Sequence, residues 1–200
     1  SVEAQTYADW EVVVADDCSG DGTADIAAGF GDAVQVVRAA ANGGPGAARN
    51  LGIAQSSGEL LAFLDADDLW LPEYLEQQVS LFDASQSQSR DVGLVVCNAR
   101  VLGPNGFLPG TYADYIGTPA STLRRLIRSN TIFVSTLSPR AVVDAAGGFA
   151  SEPLVAEDYD LWLKILELGF RVVANPRPLA VYRLSAGSVS ADPAFLARQT

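Results

Sequence analysis

GELLAFLDADDLW, residues 58–70, is the stretch on which the reading of this chain turns. Its first part, GELLAF (58–63), is a short apolar run of the kind that forms a strand buried on both faces. Its second part, FLDADDLW (63–70), brings three carboxylates, Asp65, Asp67 and Asp68, to one point at or just past the end of that strand. Open parallel sheets place their ligands at the C-terminal ends of their strands. An Asp-x-Asp in that corner can hold Mg2+ or Mn2+, hard cations that take oxygen ligands and leave positions for substrate phosphates. Pro72, suited to a first helical turn, is expected to start the next helix, with Asp68 as its cap. The plain alternative is that the acidic residues solvate a loop, and a lone Asp-x-Asp does not decide between the two.

Outward from that stretch, EVVVAD (11–16), AVQVVR (33–38) and VGLVVC (92–97) have the same β-branched, apolar character. Helix-compatible segments separate them: Asp21 to Gly29, Gly46 to Gln55, and Pro72 to about Ala84. Strands alternating with helices predict an α/β fold with a mostly parallel sheet. After the fourth strand the pattern loosens. GPNGFLPG (103–110) reads as a loop or hairpin, and STLRRLIRS (121–129) as a helix with an arginine-rich, solvated face. A helix over 156–169 and two short strands, FRVVAN (170–175) and LAVYRL (179–184), complete the described pattern. No linker divides the chain, so one domain is expected over 1–200.

The bulk numbers narrow the classes. Two hundred residues with 48% hydrophobic content suit one globular domain with a real core. A formal net charge of −11 argues against a surface that tracks nucleic-acid phosphates, so an anionic substrate needs local help from a metal or an arginine. No apolar run reaches the length of a membrane span. Cys18 and Cys97 follow no zinc or disulfide spacing, which makes a reducing cytoplasm the default. The chain has no histidine, so proton transfer falls to carboxylates.

Four stretches in order then carry a resemblance: ADDCSGDGT (15–23), NGGPGAARNLGI (42–53), FLDADD (63–68) and AEDYDLW (156–162). Together they resemble the inverting family 2 glycosyltransferases, nucleotide-sugar enzymes of the GT-A fold, a Rossmann-like sheet flanked by helices. The resemblance implies a nucleotide-binding half (1–98) and an acceptor-binding half (99–200). It also implies that the family's opening strand precedes this chain: roughly twenty or more residues, from the length of one strand and helix, are expected before residue 1. Because that strand would lie mid-sheet, interior edges are expected to be open.

Site roles follow from the same resemblance. Asp17 corresponds to the acid that contacts uracil, with Asp16 the second candidate; the SGDGT segment alone would explain a turn or cap instead. Gly43, Gly44 and Gly46 allow close backbone approach, Pro45 starts a helix, and Arg49 on that helix resembles the arginine that reaches the nucleotide. Asp67 is the expected metal ligand, with Asp65 at the metal and facing the sugar and ribose. Asp158 is the expected general base and Glu157 its neighbour in an acceptor or supporting role; taken alone, the pair could simply complement a helix dipole. Trp162 is read as core in preference to a sugar platform. Ser185 stands where many relatives carry a metal-binding histidine, and no Gln-x-x-Arg-Trp follows Asp158, which favours transfer of single residues over polymerisation.

The implied cofactors are Mn2+ or Mg2+ and a nucleotide-sugar donor, UDP-linked by family default. The implied acceptor is a glycan, lipid-linked or other hydroxyl, and the implied setting is the cytoplasm at the inner face of the membrane, in cell-envelope glycan or polysaccharide assembly. A non-catalytic nucleotide-binding module and a sugar nucleotidyltransferase are the alternatives. A haloacid-dehalogenase-like phosphatase fails at Leu69, where its motif needs threonine, and a receiver domain fails because the one lysine, Lys164, lies inside a predicted helix.

Overall fold

The computed structural model describes residues 1–116, 123–128, 130–150 and 156–184. Beginning from the apolar runs, β1 (Val12–Asp16), α1 (Thr23–Ala28) and β2 (Val34–Arg38) form a parallel pair of strands with a crossover helix. Helix α2 (Gly44–Gln55) carries Pro45 in its first turn, where the missing N–H costs nothing. It leads to β3 (Leu60–Ala62), β4 (Leu69–Trp70) and α3 (Tyr74–Gln86). The second half contains β5 (Val92–Gly103), β6 (Gly106–Phe107), α4 (Tyr112–Ile116), α5 (Leu123–Leu126), β7 (Thr136–Pro139), α6 (Arg140–Ala145), α7 (Glu157–Glu167) and β8 (Arg171–Arg183).

The sheet is mixed. Its long pairing, β5 with β8, is parallel, whereas β7 runs antiparallel to both β3 and β5, and β4 runs antiparallel to β8. The six-stranded sheet has the order β3-β7-β5-β8-β4, with β6 paired to β5 off that path, and β1-β2 forms a separate sheet. Among the described residues β1 and β3 each keep an unpaired edge. Glu11, just before β1, ties the two sheets where those strands begin: its Oε1 accepts the backbone N–H groups of Ser57 (2.6 Å) and Gly58 (2.8 Å).

Helix α7 packs one face into the main core. Leu161, Trp162 and Ile165 are fully buried with Leu94, Leu126 and Phe149, so Trp162 is core and not a platform. Two expectations need correction. The 170–184 region is one strand: Pro176 and Pro178 cannot donate to a ladder, and register shifts around Asn98 of β5 absorb the irregularity. Helix α3 starts at Tyr74 with Glu73 as N-cap, so Pro72 precedes it and Asp68 caps nothing. Of the predicted 121–129 helix, α5 covers Leu123–Leu126, and residues 121, 122 and 129 lie outside the described residues.

Candidate active site

Asp16 and Asp17 leave the end of β1 in opposite senses. Asp16 is buried, accepts the Ser19 N–H at 3.1 Å and pairs with Arg38 at 3.0 Å. The Ser19 hydrogen bonds hold its carboxyl below the usual range, with Arg38 adding to the effect. It is occupied in shaping the turn. Asp17 instead reaches the glycine loop: its two oxygens accept the N–H groups of Gly43 (2.9 Å) and Gly44 (2.7 Å). Gly44 sits at φ +82°, a left-handed conformation that favours glycine.

Beyond β3 the chain makes a tight turn in which the Asp68 N–H donates to the Asp65 carbonyl at 3.0 Å. The turn separates the three carboxylates. Asp67 is exposed and has no hydrogen-bond or ion-pair partner among the described residues; Asp65 is partly exposed; Asp68 is buried. Asp68 accepts the Arg183 backbone N–H at 2.8 Å, and burial pushes its carboxyl up to about 7.

Arg49 joins the distant parts. From the second turn of α2 it donates to Asp65 at 2.7 Å and to Glu157, and its guanidinium lies 5.3 Å from the Phe149 ring centroid. Burial works against its charge, and the two carboxylates outweigh that cost, raising its pKa. Glu157 is itself buried, so this pairing compensates a charge that would otherwise be expensive. The arginine expected to reach a nucleotide thus also bridges the Asp-x-Asp turn and the Glu157-Asp158 pair.

Asp158 sits at the start of α7, and its Oδ1 accepts the Tyr159 N–H at 2.7 Å. Burial pushes its carboxyl up to about 6, with the neighbouring Glu157 charge acting in the same direction. That value suits a base working near neutrality. Ala156, the N-cap, is held at φ 94°, ψ 49°, a conformation costly for a residue with a Cβ. Strain of this kind collects where structure over-determines a functional backbone.

Asp17, Arg49, Asp65 and Glu157 are thereby linked to one another through α2, with Asp158 next to Glu157, while Asp67 belongs to the same turn as Asp65 and Asp16 is taken up by Ser19 and Arg38. Among the described residues no group of three or more His, Cys, Asp or Glu is arranged to hold a metal. Asp67 and the second oxygen of Asp65 nevertheless suit a hard cation whose remaining ligands are phosphate oxygens. Ser185 lies outside the described residues. Two residues escaped the sequence reading: Asn50, next to Arg49, whose side chain pairs with the Phe149 backbone, and Phe149 beneath Arg49. The Gly147-Gly148-Phe149 run was their available signal.

The fold resembles the structure of Staphylococcus aureus TarS 1–349 in complex with UDP, with a TM-score of 0.73 at 24% identity over 92% of this chain and 54% of that one. The fold is therefore of the GT-A class, a mixed sheet flanked by helices. The profile of glycosyl transferase family 2 matches residues 1–103, and the chain belongs to that family. It is 31% identical to the succinoglycan biosynthesis protein ExoO of Rhizobium meliloti (strain 1021), over 99% of this chain and 63% of ExoO. It is 29% identical to the UDP-Glc:alpha-D-GlcNAc-diphosphoundecaprenol beta-1,3-glucosyltransferase WfgD of Escherichia coli, over 96% of this chain and 72% of WfgD. The chain thus spans just under two thirds of ExoO. No helix among the described residues is long and apolar enough to cross a membrane.

Proposed function

We propose that this chain transfers single glycosyl residues from a UDP-linked sugar to an acceptor hydroxyl, with inversion at the anomeric carbon. The observation that carries the reading is the Arg49 bridge: it joins the Asp65 turn to Glu157, and so sets the Asp158 base beside the donor carboxylates. In the proposed step Asp158 takes the acceptor proton, the acceptor oxygen bonds to the anomeric carbon, and the bond to the nucleotide diphosphate breaks on the opposite face. Asp17 positions the glycine loop and retains lone pairs for a base N–H. Asp67 and Asp65 would hold Mn2+ or Mg2+, which when bound supplies Lewis-acid stabilisation of the departing diphosphate.

The diphosphoundecaprenol acceptor in the name of WfgD supports a lipid-linked glycan acceptor for this chain, and the succinoglycan in that of ExoO supports polysaccharide assembly. The test is a thermal-shift panel of UDP, GDP, CDP and TDP with and without Mn2+, followed by turnover of the wild type and Asp158→Asn. Metal-dependent stabilisation by UDP, with turnover lost in the variant, is expected. Binding without wild-type turnover would favour a non-catalytic module, and pyrophosphate release from a nucleoside triphosphate would favour a nucleotidyltransferase.

A further inference from the structure

Helix α2 turns one face, Gly46, Arg49 and Asn50, toward the second half of the chain, as the i, i+3, i+4 spacing allows. Asn50 spends its whole amide on one backbone unit: Oδ1 accepts the Phe149 N–H at 3.0 Å, and Nδ2 donates to the Phe149 carbonyl at 2.9 Å. This is a strand-like pairing made by a side chain. Gly148, at φ +71°, makes room for it, since a Cβ there would stand 2.8 Å from Asn50 Oδ1. One turn earlier, Gly46 lets the chains close: a Cβ would lie 2.3 Å from the Ala150 carbonyl oxygen and 3.2 Å from Glu157 Cγ.

What Asn50 holds matters for the reaction. The Phe149 ring lies under the Arg49 guanidinium, packs edge-on against Phe63 at 5.0 Å, and faces Trp162 of α7 at 6.1 Å. Phe63 leads directly into the Asp65 turn, and Trp162 lies one turn beyond Asp158. Displacing Phe149 would therefore disturb Arg49 and its hold on Glu157 at the start of α7, whereas the Asp65 turn is also closed by its own backbone, the Asp68 N–H donating to the Asp65 carbonyl at 3.0 Å. The N-terminus of the same helix carries the Gly44 N–H held by Asp17, so α2 is fixed on the donor side independently of this clamp.

We propose that Asn50 is a positioning residue for Asp158: by clamping Phe149 it sets the Arg49 bridge to Glu157, and it acts on turnover and not on donor binding. The proposal rests on the glycosyl-transfer reading above. The experiment compares wild type, Asn50→Ala and Asn50→Asp for Tm, UDP affinity, and kcat and KM with the donor. Displacement by about 1 Å can cost on the order of 100-fold in rate. The expected result is a kcat lowered about 30- to 100-fold, with UDP affinity and donor KM within about threefold of wild type. Asn50→Asp, which keeps the acceptor for the Phe149 N–H, should recover part of the loss. If Asn50→Ala does not fold, Asn50→Asp carries the same comparison. A kcat near wild type in all folded variants would overturn the proposal, as would UDP affinity falling in parallel with kcat. Wild-type protein that binds UDP but turns over no nucleotide sugar would defeat the functional reading instead.

Discussion

The guanidinium of Arg49 donates to the Asp65 carboxylate across 2.7 Å, so the carboxylate turn beyond β3 is partly neutralised by an arginine from α2. The same cation compensates Glu157, whose side chain is only 10% exposed. Arg49→Met removes both compensations and leaves a buried charge unpaired. Its expected cost is about 3 kcal/mol, lowering Tm by roughly 10 °C in a chain of this size. Arg49→Lys keeps the charge but cannot span two carboxylates with a planar fork, so it should restore stability only in part. Thermal denaturation at neutral pH checks both.

Asp158 gives the pH dependence. Its carboxyl is raised to about 6, so the folded state holds the proton more tightly than the unfolded chain does. Its contribution to stability is therefore fully present below the ordinary aspartate value and is lost as pH rises through 6. Activity runs the other way, because a base must be ionised: kcat/KM should fall about tenfold per pH unit below 6. Asp158→Asn should abolish turnover and be more stable than wild type at pH 8, with the difference vanishing near pH 3. Coincident stability curves at both pH values would contradict this assignment.

Ala156 holds a left-handed conformation immediately before the base pair of carboxylates. Ala156→Gly relieves the Cβ strain, although glycine also gains freedom in the unfolded chain. A net stabilisation of up to about 1 kcal/mol, or roughly 3 °C, is expected. Because the start of α7 loosens, kcat should fall even as Tm rises. Paired calorimetry and initial-rate kinetics would show the opposed changes.

On the proposed metal role, Asp67 should separate metal binding from folding. Its carboxylate is exposed and unpartnered among the described residues, so Asp67→Asn should shift Tm by less than about 1 °C. The Mn2+-dependent part of UDP stabilisation should disappear. Asp16→Asn should behave inversely, weakening the fold through its Ser19 and Arg38 contacts. A thermal-shift titration of Mn2+ in the presence of UDP distinguishes the two.

The apolar strands and the motif-bearing turns could be read from sequence because each is local: β1, β2, β3 and the start of β5 fall within the expected runs. The strand β7 could not, because Thr136–Pro139 has no apolar run. Ser135, Thr136 and Ser138 are nevertheless fully buried, and Ser138 is accommodated by donating to the Gly93 carbonyl at 2.7 Å. For the site, the residue types of Asp17, Arg49, Asp65 and Asp158 were legible, but not who holds whom. Arg49 and Glu157 lie 108 positions apart, and only the packing of α2 against α7 makes them partners. The misassigned cap at Asp68 has a similar cause: its acceptor role depends on the Arg183 N–H, 115 positions away.

The proposed reaction is a single displacement driven by Asp158 from the face opposite the diphosphate. Its most direct test is the anomeric configuration of the glycoside formed from an α-linked UDP-sugar, read from the anomeric proton coupling by NMR. A β-glycoside, with no product from Asp158→Asn, is the predicted result. An α-glycoside would contradict it.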